Sequence, residues 1–150
     1  MKKSNKGFSL VELIIVIAIM AILAAAIAPA LIRYIDKSRR ADDVQAGGTI
    51  ATAVNGALAN EEAYSEVNKA GASYIVGSMA PSTSTIVPSH ANFDEEVLSS
   101  LGGVAPKFKY NKNSPSYWVI GVVNDKAVVY IQASGGSVEV APEQEGSYKK

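Results

Sequence analysis

Residues 7–32 read GFSLVELIIVIAIMAILAAAIAPALI, an apolar run that contains a single carboxylate, Glu12. Positions 13–32 carry no charged side chain, and at about 1.5 Å per residue a helix of this length spans about 30 Å, the thickness of a bilayer's hydrocarbon core. A carboxylate at the centre of such a segment costs about 2.5–3.5 kcal/mol on insertion scales, and less near its end. We therefore expect Glu12 to have a function and a positively charged partner.

Three kinds of N-terminal segment are compatible with this run. The first is a cleaved secretory signal peptide, because lysines precede the run and residues 24–26 or 28–30 offer an A-x-A cleavage site. The second is a plain membrane anchor, with basic residues on both sides, so that the positive-inside rule does not fix its orientation. Neither of these explains why Glu12 is present.

The third interpretation rests on residues 7–13, GFSLVEL, which closely resemble the processing signature of type IV prepilins and related pseudopilins. This resemblance implies that a membrane prepilin peptidase cuts between Gly7 and Phe8 on the cytoplasmic side and N-methylates Phe8. It also implies that Glu12 pairs with the new ammonium group, its own or that of a neighbouring subunit, and sets the register of subunits in a filament. In a helix, positions 8 and 12 share a face about 6 Å apart.

The end of the apolar run extends the resemblance, because the family often carries a proline where this chain has Pro29. A proline removes one helical hydrogen bond, so we expect Pro29 to kink or loosen the preceding turn. The family commonly has glycine where this chain has Ala21, and alanine is about 1 kcal/mol more favourable in a helix. Local melting of the helix during assembly is therefore expected to be smaller here.

The resemblance and the pattern of side chains together predict four segments. The resemblance implies a cytoplasmic leader peptide at 1–7 and a transmembrane and filament-core helix half at 8–32; the pattern predicts an amphipathic helix half at 33–60 and a globular head at 61–150. Beyond a charged stretch at 33–43, a stripe at helical spacing predicts a face that packs on a sheet; its members are Ala46, Ile50, Ala53, Val54, Ala57 and Leu58. We expect one helix from Phe8 to about Asn60, in which Gly47 and Gly48 would favour a bend.

The head is expected to contain one short helix and a sheet. The helix would begin at Asn92 or Asp94 and end at Leu101, closed by the glycines that follow. Alternation and turn residues predict an antiparallel meander of about four strands, at 107–111, 117–123, 127–133 and 137–140. A further short strand is expected at 73–76, a loop at 82–88 and a polar tail at 142–150.

Composition argues against catalysis and nucleic-acid binding. The formal net charge is zero and arginine is nearly absent from the head, so nucleic acid is an improbable partner. The chain has no cysteine, which excludes disulfides, thiol catalysis and thiolate metal sites. Many Gram-negative pilins close their C-terminal region with a disulfide, so this departure favours a Gram-positive source.

No enzyme constellation emerges from the remaining side chains. His90 is the single histidine, so His-based dyads lack a second member. Residues 94–96 are acidic and would suit calcium together with Asp125 or Glu139, but a charged helix start is the simpler interpretation. Trp118 and the tyrosines at 110, 117 and 130 have strand spacing and are interpreted as core and rim. We expect no cofactor and no metal.

The resemblance implies an α+β pilin fold and a structural role as the major subunit of a type IV pilus. Its partners would be copies of itself, the prepilin peptidase, minor pilins and the pilus assembly platform. Such a protein is first a single-pass protein of the inner (cytoplasmic) membrane and then part of an extracellular filament that serves adhesion, motility or DNA uptake. One alternative is a pseudopilin of a type II secretion or competence system; another, of a different class, is a secreted binding domain with an ordinary signal peptide.

Overall fold

The computed structural model describes residues 7–67, 73–112 and 114–148 and divides the chain into two compact units, Met1–Lys37 and Ser38–Lys150. The helices are α1 (Leu10–Leu58), α2 (Glu61–Val67) and α3 (Ala91–Ser100), with a short 3₁₀ helix at Gly146–Tyr148. The strands are β1 (Ser73–Met79), β2 (Ile86–Val87), β3 (Tyr117–Val123), β4 (Lys126–Ala133) and β5 (Gly136–Ala141).

The first unit contains the N-terminal part of α1, whose apolar side chains are exposed. Between Leu10 and Ile32 every residue is exposed, and this stretch is long and apolar enough by composition to cross a membrane. The helix continues without interruption through Pro29. The predicted helix over 8–60 is thus confirmed, with its ends two residues inside the expected limits.

The second unit is built on a five-stranded antiparallel sheet in the order β2-β1-β3-β4-β5. A two-residue turn joins β3 to β4, and its residues Asn124 and Asp125 both have positive φ, 50° and 60°. Asparagine and aspartate tolerate this left-handed conformation better than other non-glycine residues, and the turn matches the right-handed twist of the strands. The predicted hairpin turn is confirmed.

The C-terminal part of α1 packs on this sheet through the predicted stripe. Ile50, Ala53, Val54 and Ala57 are buried, and Ala46 and Leu58 pack against the same core. Opposite them, the sheet contributes Trp118, Ile120, Val129 and Ile131, all buried. The fold is therefore α+β, as predicted.

Gly47, the first of the two adjacent glycines in α1, has a packing role. A Cβ added to Gly47 would lie 2.7 Å from Cγ2 of Val140 and 3.7 Å from Cζ3 of Trp118. Only glycine therefore lets the helix approach the sheet this closely. At Gly48 a Cβ would meet nothing within 4 Å.

The predicted aromatic core and rim are confirmed. Trp118 is fully buried, its Nε1–H donates a hydrogen bond to the carbonyl oxygen of Pro106 at 2.8 Å, and its ring centroid lies 4.5 Å from that of Phe108. Tyr110 is buried, whereas Tyr117 is half exposed. Each aromatic side chain thus belongs to the packing of the head.

Several expectations about the head were wrong. Residues 107–111 form no strand, because the backbone N–H groups of Lys109 and Tyr110 bind the carboxylate of Asp43 in place of a neighbouring strand. The expected loop at 82–88 contains β2, which pairs with the end of β1. Helix α2 was not predicted, and the expected polar tail ends in a 3₁₀ helix with Tyr148 buried.

The expected helix near residue 92 begins slightly earlier, at Ala91, and ends one residue before the predicted Leu101, at Ser100. Gly102 and Gly103 have φ values of 77° and 91°, and the Gly103 N–H donates to the carbonyl oxygen of Leu98 at 2.7 Å. This left-handed ending satisfies carbonyl groups that the helix leaves free.

Candidate functional site

The residues at the proposed processing site stand just outside α1. Gly7, Phe8 and Ser9 precede the first helical residue, and the Phe8 side chain is 83% exposed. A Cβ added at Gly7 would meet nothing within 4 Å, so packing of the described residues does not require glycine there. The peptide bond between Gly7 and Phe8 is therefore exposed and non-helical.

Glu12 has a hydrogen-bond partner that the sequence analysis did not foresee. The backbone N–H of Ser9 donates to Glu12 Oε2 at 2.9 Å, and the Leu13 N–H donates to the Ser9 carbonyl at 3.3 Å. This is one half of a capping box, in which a glutamate three residues into a helix binds back to the residue before it. The S-x-x-E signal at residues 9–12 would have revealed it.

This contact changes the expectation for the carboxylate. A neutral amide satisfies part of its hydrogen-bonding capacity before any new amino terminus exists. A carboxylate has about four acceptor positions, so the Ser9 amide leaves room for an ammonium group. Glu12 thus combines a local partner with capacity for a charged one.

Pro29 and Ala21 lie on the same exposed apolar helix half. A helix that is apolar on every side is typical of a membrane span or of a helix surrounded by other apolar helices. Both residues lie more than two helical turns beyond Glu12, whose described hydrogen bond is to Ser9.

Two carboxylates, Asp94 in the first turn of α3 and Glu66 of α2, bind backbone N–H groups at the start of α3. Asp94 Oδ2 accepts hydrogen bonds from Ser89 Oγ at 2.8 Å and from the His90 N–H at 3.0 Å. From α2, the carboxylate of Glu66 accepts the N–H groups of Asn92 and Phe93. The interpretation of residues 94–96 as a charged helix start agrees with these contacts.

The calcium alternative gains no geometric support. The carboxylate of Asp125 accepts a hydrogen bond from Tyr64 Oη at 3.3 Å. Within residues 7–67, 73–112 and 114–148, no three histidine, aspartate or glutamate side chains converge as metal ligands would.

Asp43 is a second residue that sequence reasoning missed. It is completely buried on α1 and accepts hydrogen bonds from Lys109 N–H and Tyr110 N–H at 2.6 and 3.1 Å. The position of Asp43 in the sequence could have predicted its burial. It precedes Gly47 by one helical turn and Ile50 by two, and so extends the buried stripe.

Comparison with known proteins agrees with the sequence motif and the fold. Residues 2–28 match the family model described as the prokaryotic N-terminal methylation motif. The chain is 31% identical to the type IV major fimbrial protein FimA of Dichelobacter nodosus, over 91% of this chain and 87% of that protein. No solved structure matches the chain significantly. With its methylation motif, its long apolar N-terminal helix and this similarity along most of its length, the chain belongs to the type IV pilin family, whose members are structural proteins and not enzymes.

Proposed function

We propose that this chain is the precursor of a structural subunit of a type IV pilus, which is processed between Gly7 and Phe8 and polymerises through α1. The observation that carries the proposal is the exposed apolar half of α1, which begins directly after an exposed, non-helical Gly7–Phe8 peptide. A helix half that the protein's own fold does not cover requires another apolar environment. The bilayer supplies it before assembly, and copies of the same helix supply it afterwards.

Processing by a prepilin peptidase accounts for the residues at the junction. Gly7 has no steric partner among the described residues, so the glycine serves the enzyme that cuts there and not the fold. The leader is then 1–7, and Phe8 becomes the N-methylated first residue. The head remains outside the membrane, and the assembled subunit becomes extracellular.

Assembly follows from burial and charge. Burying apolar surface contributes about 25 cal/mol per Å², and the large side chains between Leu10 and Ile32 are mostly half exposed or more. Glu12 fixes the axial register by pairing with the ammonium of Phe8 on a neighbouring subunit. The ammonium brings a full positive charge to the carboxylate, which the Ser9 amide does not, and the acceptor positions that the amide leaves open can receive it.

The N-terminus of the mature protein tests the proposal. When the full chain is produced with a prepilin peptidase, mass spectrometry should find mature protein that begins with N-methylated Phe8. Gly7→Val should leave uncut precursor in the membrane, whereas Gly56→Ala, at a glycine with open space around it, should be processed normally. A mature chain that begins at or beyond Ile27 would instead indicate an ordinary signal peptide and refute the proposal.

The pilus is favoured over a pseudopilus by the similarity to a protein named as a major fimbrial subunit. Electron microscopy of sheared surface fibres, with mass spectrometry of their main component, should identify this chain as the main subunit. Processed protein that is retained in the cell envelope, with no surface fibres, would support the pseudopilin alternative.

A further inference from the structure

The C-terminal segment 142–148 is fastened to the head at two places. At the first, it follows the edge strand β5: the Glu145 N–H donates to the Glu139 carbonyl at 3.0 Å, and the Glu143 N–H donates to Glu139 Oε1 at 3.2 Å. At the second, the side chain of Tyr148 is buried, with 4% exposed. A segment with the composition of a solvated tail is thus part of the packed structure.

Tyr148 lies in a cluster centred on Asp43. Its hydroxyl donates to Asp43 Oδ2 at 3.5 Å, and its ring meets that of Tyr110 edge to face, with 6.0 Å between the centroids. The Arg40 guanidinium lies 5.2 Å from the centroid of the Tyr110 ring. The cluster therefore joins α1, residues 109–110 and the C-terminal 3₁₀ helix.

We propose that Asp43 is a carboxylate latch that holds segment 142–148 against the edge of β5 and so closes the head without a covalent bond. An unprotected edge strand is a template for pairing with another chain. The segment binds one backbone carbonyl of the edge, that of Glu139, and also the Glu139 side chain, and the latch keeps the end of the segment in place. The chain has no cysteine, so no disulfide can fasten the C-terminal region. This cluster fastens it by non-covalent contacts.

A carboxylate suits this position better than any other polar group. Asp43 accepts from three donors, two backbone N–H groups and one hydroxyl, and brings no donor of its own. An asparagine would turn an NH₂ group towards one of these donors, and an alanine would leave both amides without an acceptor. A buried amide that loses its hydrogen-bond partner lowers the stability of the fold. The three donors therefore favour aspartate at position 43.

Amide hydrogen exchange on the full-length chain in detergent micelles tests the latch. The amides to follow are those of Glu143 and Glu145, which do not themselves contact Asp43. Asp43→Ala should raise their exchange rates about tenfold, because the segment opens locally once its end is released. Asp42→Ala, a change at the exposed neighbouring carboxylate, is the matched control and should leave both rates within about twofold of the original.

A second variant keeps the test decisive if Asp43→Ala fails to fold. Tyr148→Phe keeps the buried ring and removes only the hydroxyl, so it should fold and raise the same two exchange rates about threefold. Tyr117→Phe, at a half-exposed tyrosine, is its control. Exchange at Glu143 and Glu145 that is equal in Tyr148→Phe and Tyr117→Phe would overturn the latch.

Discussion

Two carboxylates of the head have pKa values that move in opposite directions, and the cause lies in their surroundings. For Asp43, burial raises the pKa above its ordinary value and outweighs the hydrogen bonds from Lys109, Tyr110 and Tyr148, which lower it. For Glu66, the hydrogen bonds from the N–H groups of Phe93 and Asn92 lower the pKa. One group is thus easier to protonate in the folded protein and the other harder.

We predict that the contribution of Asp43 to the stability of the fold increases as the pH falls. A group with a raised folded-state pKa contributes stability that is fully present below its unfolded value, about 3.8, and is lost as the pH rises through the folded value. The difference between the Tm of the original chain and the Tm of Asp43→Asn should therefore decrease as the pH rises from about 3 to about 7. Neighbouring Asp42 and Arg40 are unchanged in both proteins. A difference that rises with pH would contradict the assignment.

For Glu66 we predict that the contribution to the stability of the fold increases as the pH rises. A group with a lowered folded-state pKa contributes stability that is present above its unfolded value, about 4.5, and is lost as the pH falls through the folded value. The Tm of the original chain minus that of Glu66→Gln should therefore increase as the pH rises from about 3 to about 6. Glu62→Gln, on the same short helix, is the control. Equal pH profiles for the two variants would show that capping of α3 has no part in the effect.

Among the elements, α1 was predictable because its two halves carry two clear patterns. The continuous apolar run predicted a helix in the first half. In the second half, the face that packs on the sheet was predicted by the spacing of Ile50, Ala53, Val54 and Ala57. The turn residues Asn124 and Asp125 fixed the β3–β4 hairpin. In each case a local pattern and the tertiary structure agree.

The elements that were missed depend on contacts between distant residues. Residues 107–111 alternate like a strand, yet their amides bind Asp43, which lies more than sixty positions earlier in the chain. Tyr148 is buried because the same side chain receives it. At the processing site the sequence predicted a helix from Phe8, whereas Phe8 and Ser9 precede α1. The Ser9–Glu12 hydrogen bond required attention to a capping motif that was present but not used.

The close approach of α1 to the sheet gives a prediction for its adjacent glycines. Gly47→Ala places a methyl group against Val140 and should lower the free energy of unfolding by about 1–3 kcal/mol, the usual cost of overpacking. Gly48→Ala meets open space and should raise it by up to about 1 kcal/mol, because alanine is the better helix former. Urea unfolding of both variants in the same detergent measures the two values. A stabilised Gly47→Ala would refute the packing role of this glycine.

For the molecule as a whole, the two halves of α1 require different surroundings. The half that follows Ser38 is satisfied by the head's own sheet, through Ile50 and its neighbours. The half before it exposes its apolar side chains, and under the proposed function lipid or other copies of α1 cover them. Solubility without detergent should therefore depend on assembly into fibres.

Under the proposed function the register of that assembly depends on Glu12, and two substitutions separate its charge from its role as a cap. Glu12→Gln keeps an acceptor for the Ser9 amide, since glutamine also completes a capping box, whereas Glu12→Ala removes both functions. We expect both variants to be cleaved after Gly7, because the scissile bond lies outside the helix. Losing one partner of a buried ion pair costs about 3–5 kcal/mol, so both should enter fibres at least about tenfold less than the original chain, as measured by mass spectrometry of sheared filaments from cells that produce both forms. Normal incorporation of Glu12→Gln with exclusion of Glu12→Ala would show that the cap, and not the charge, sets the register.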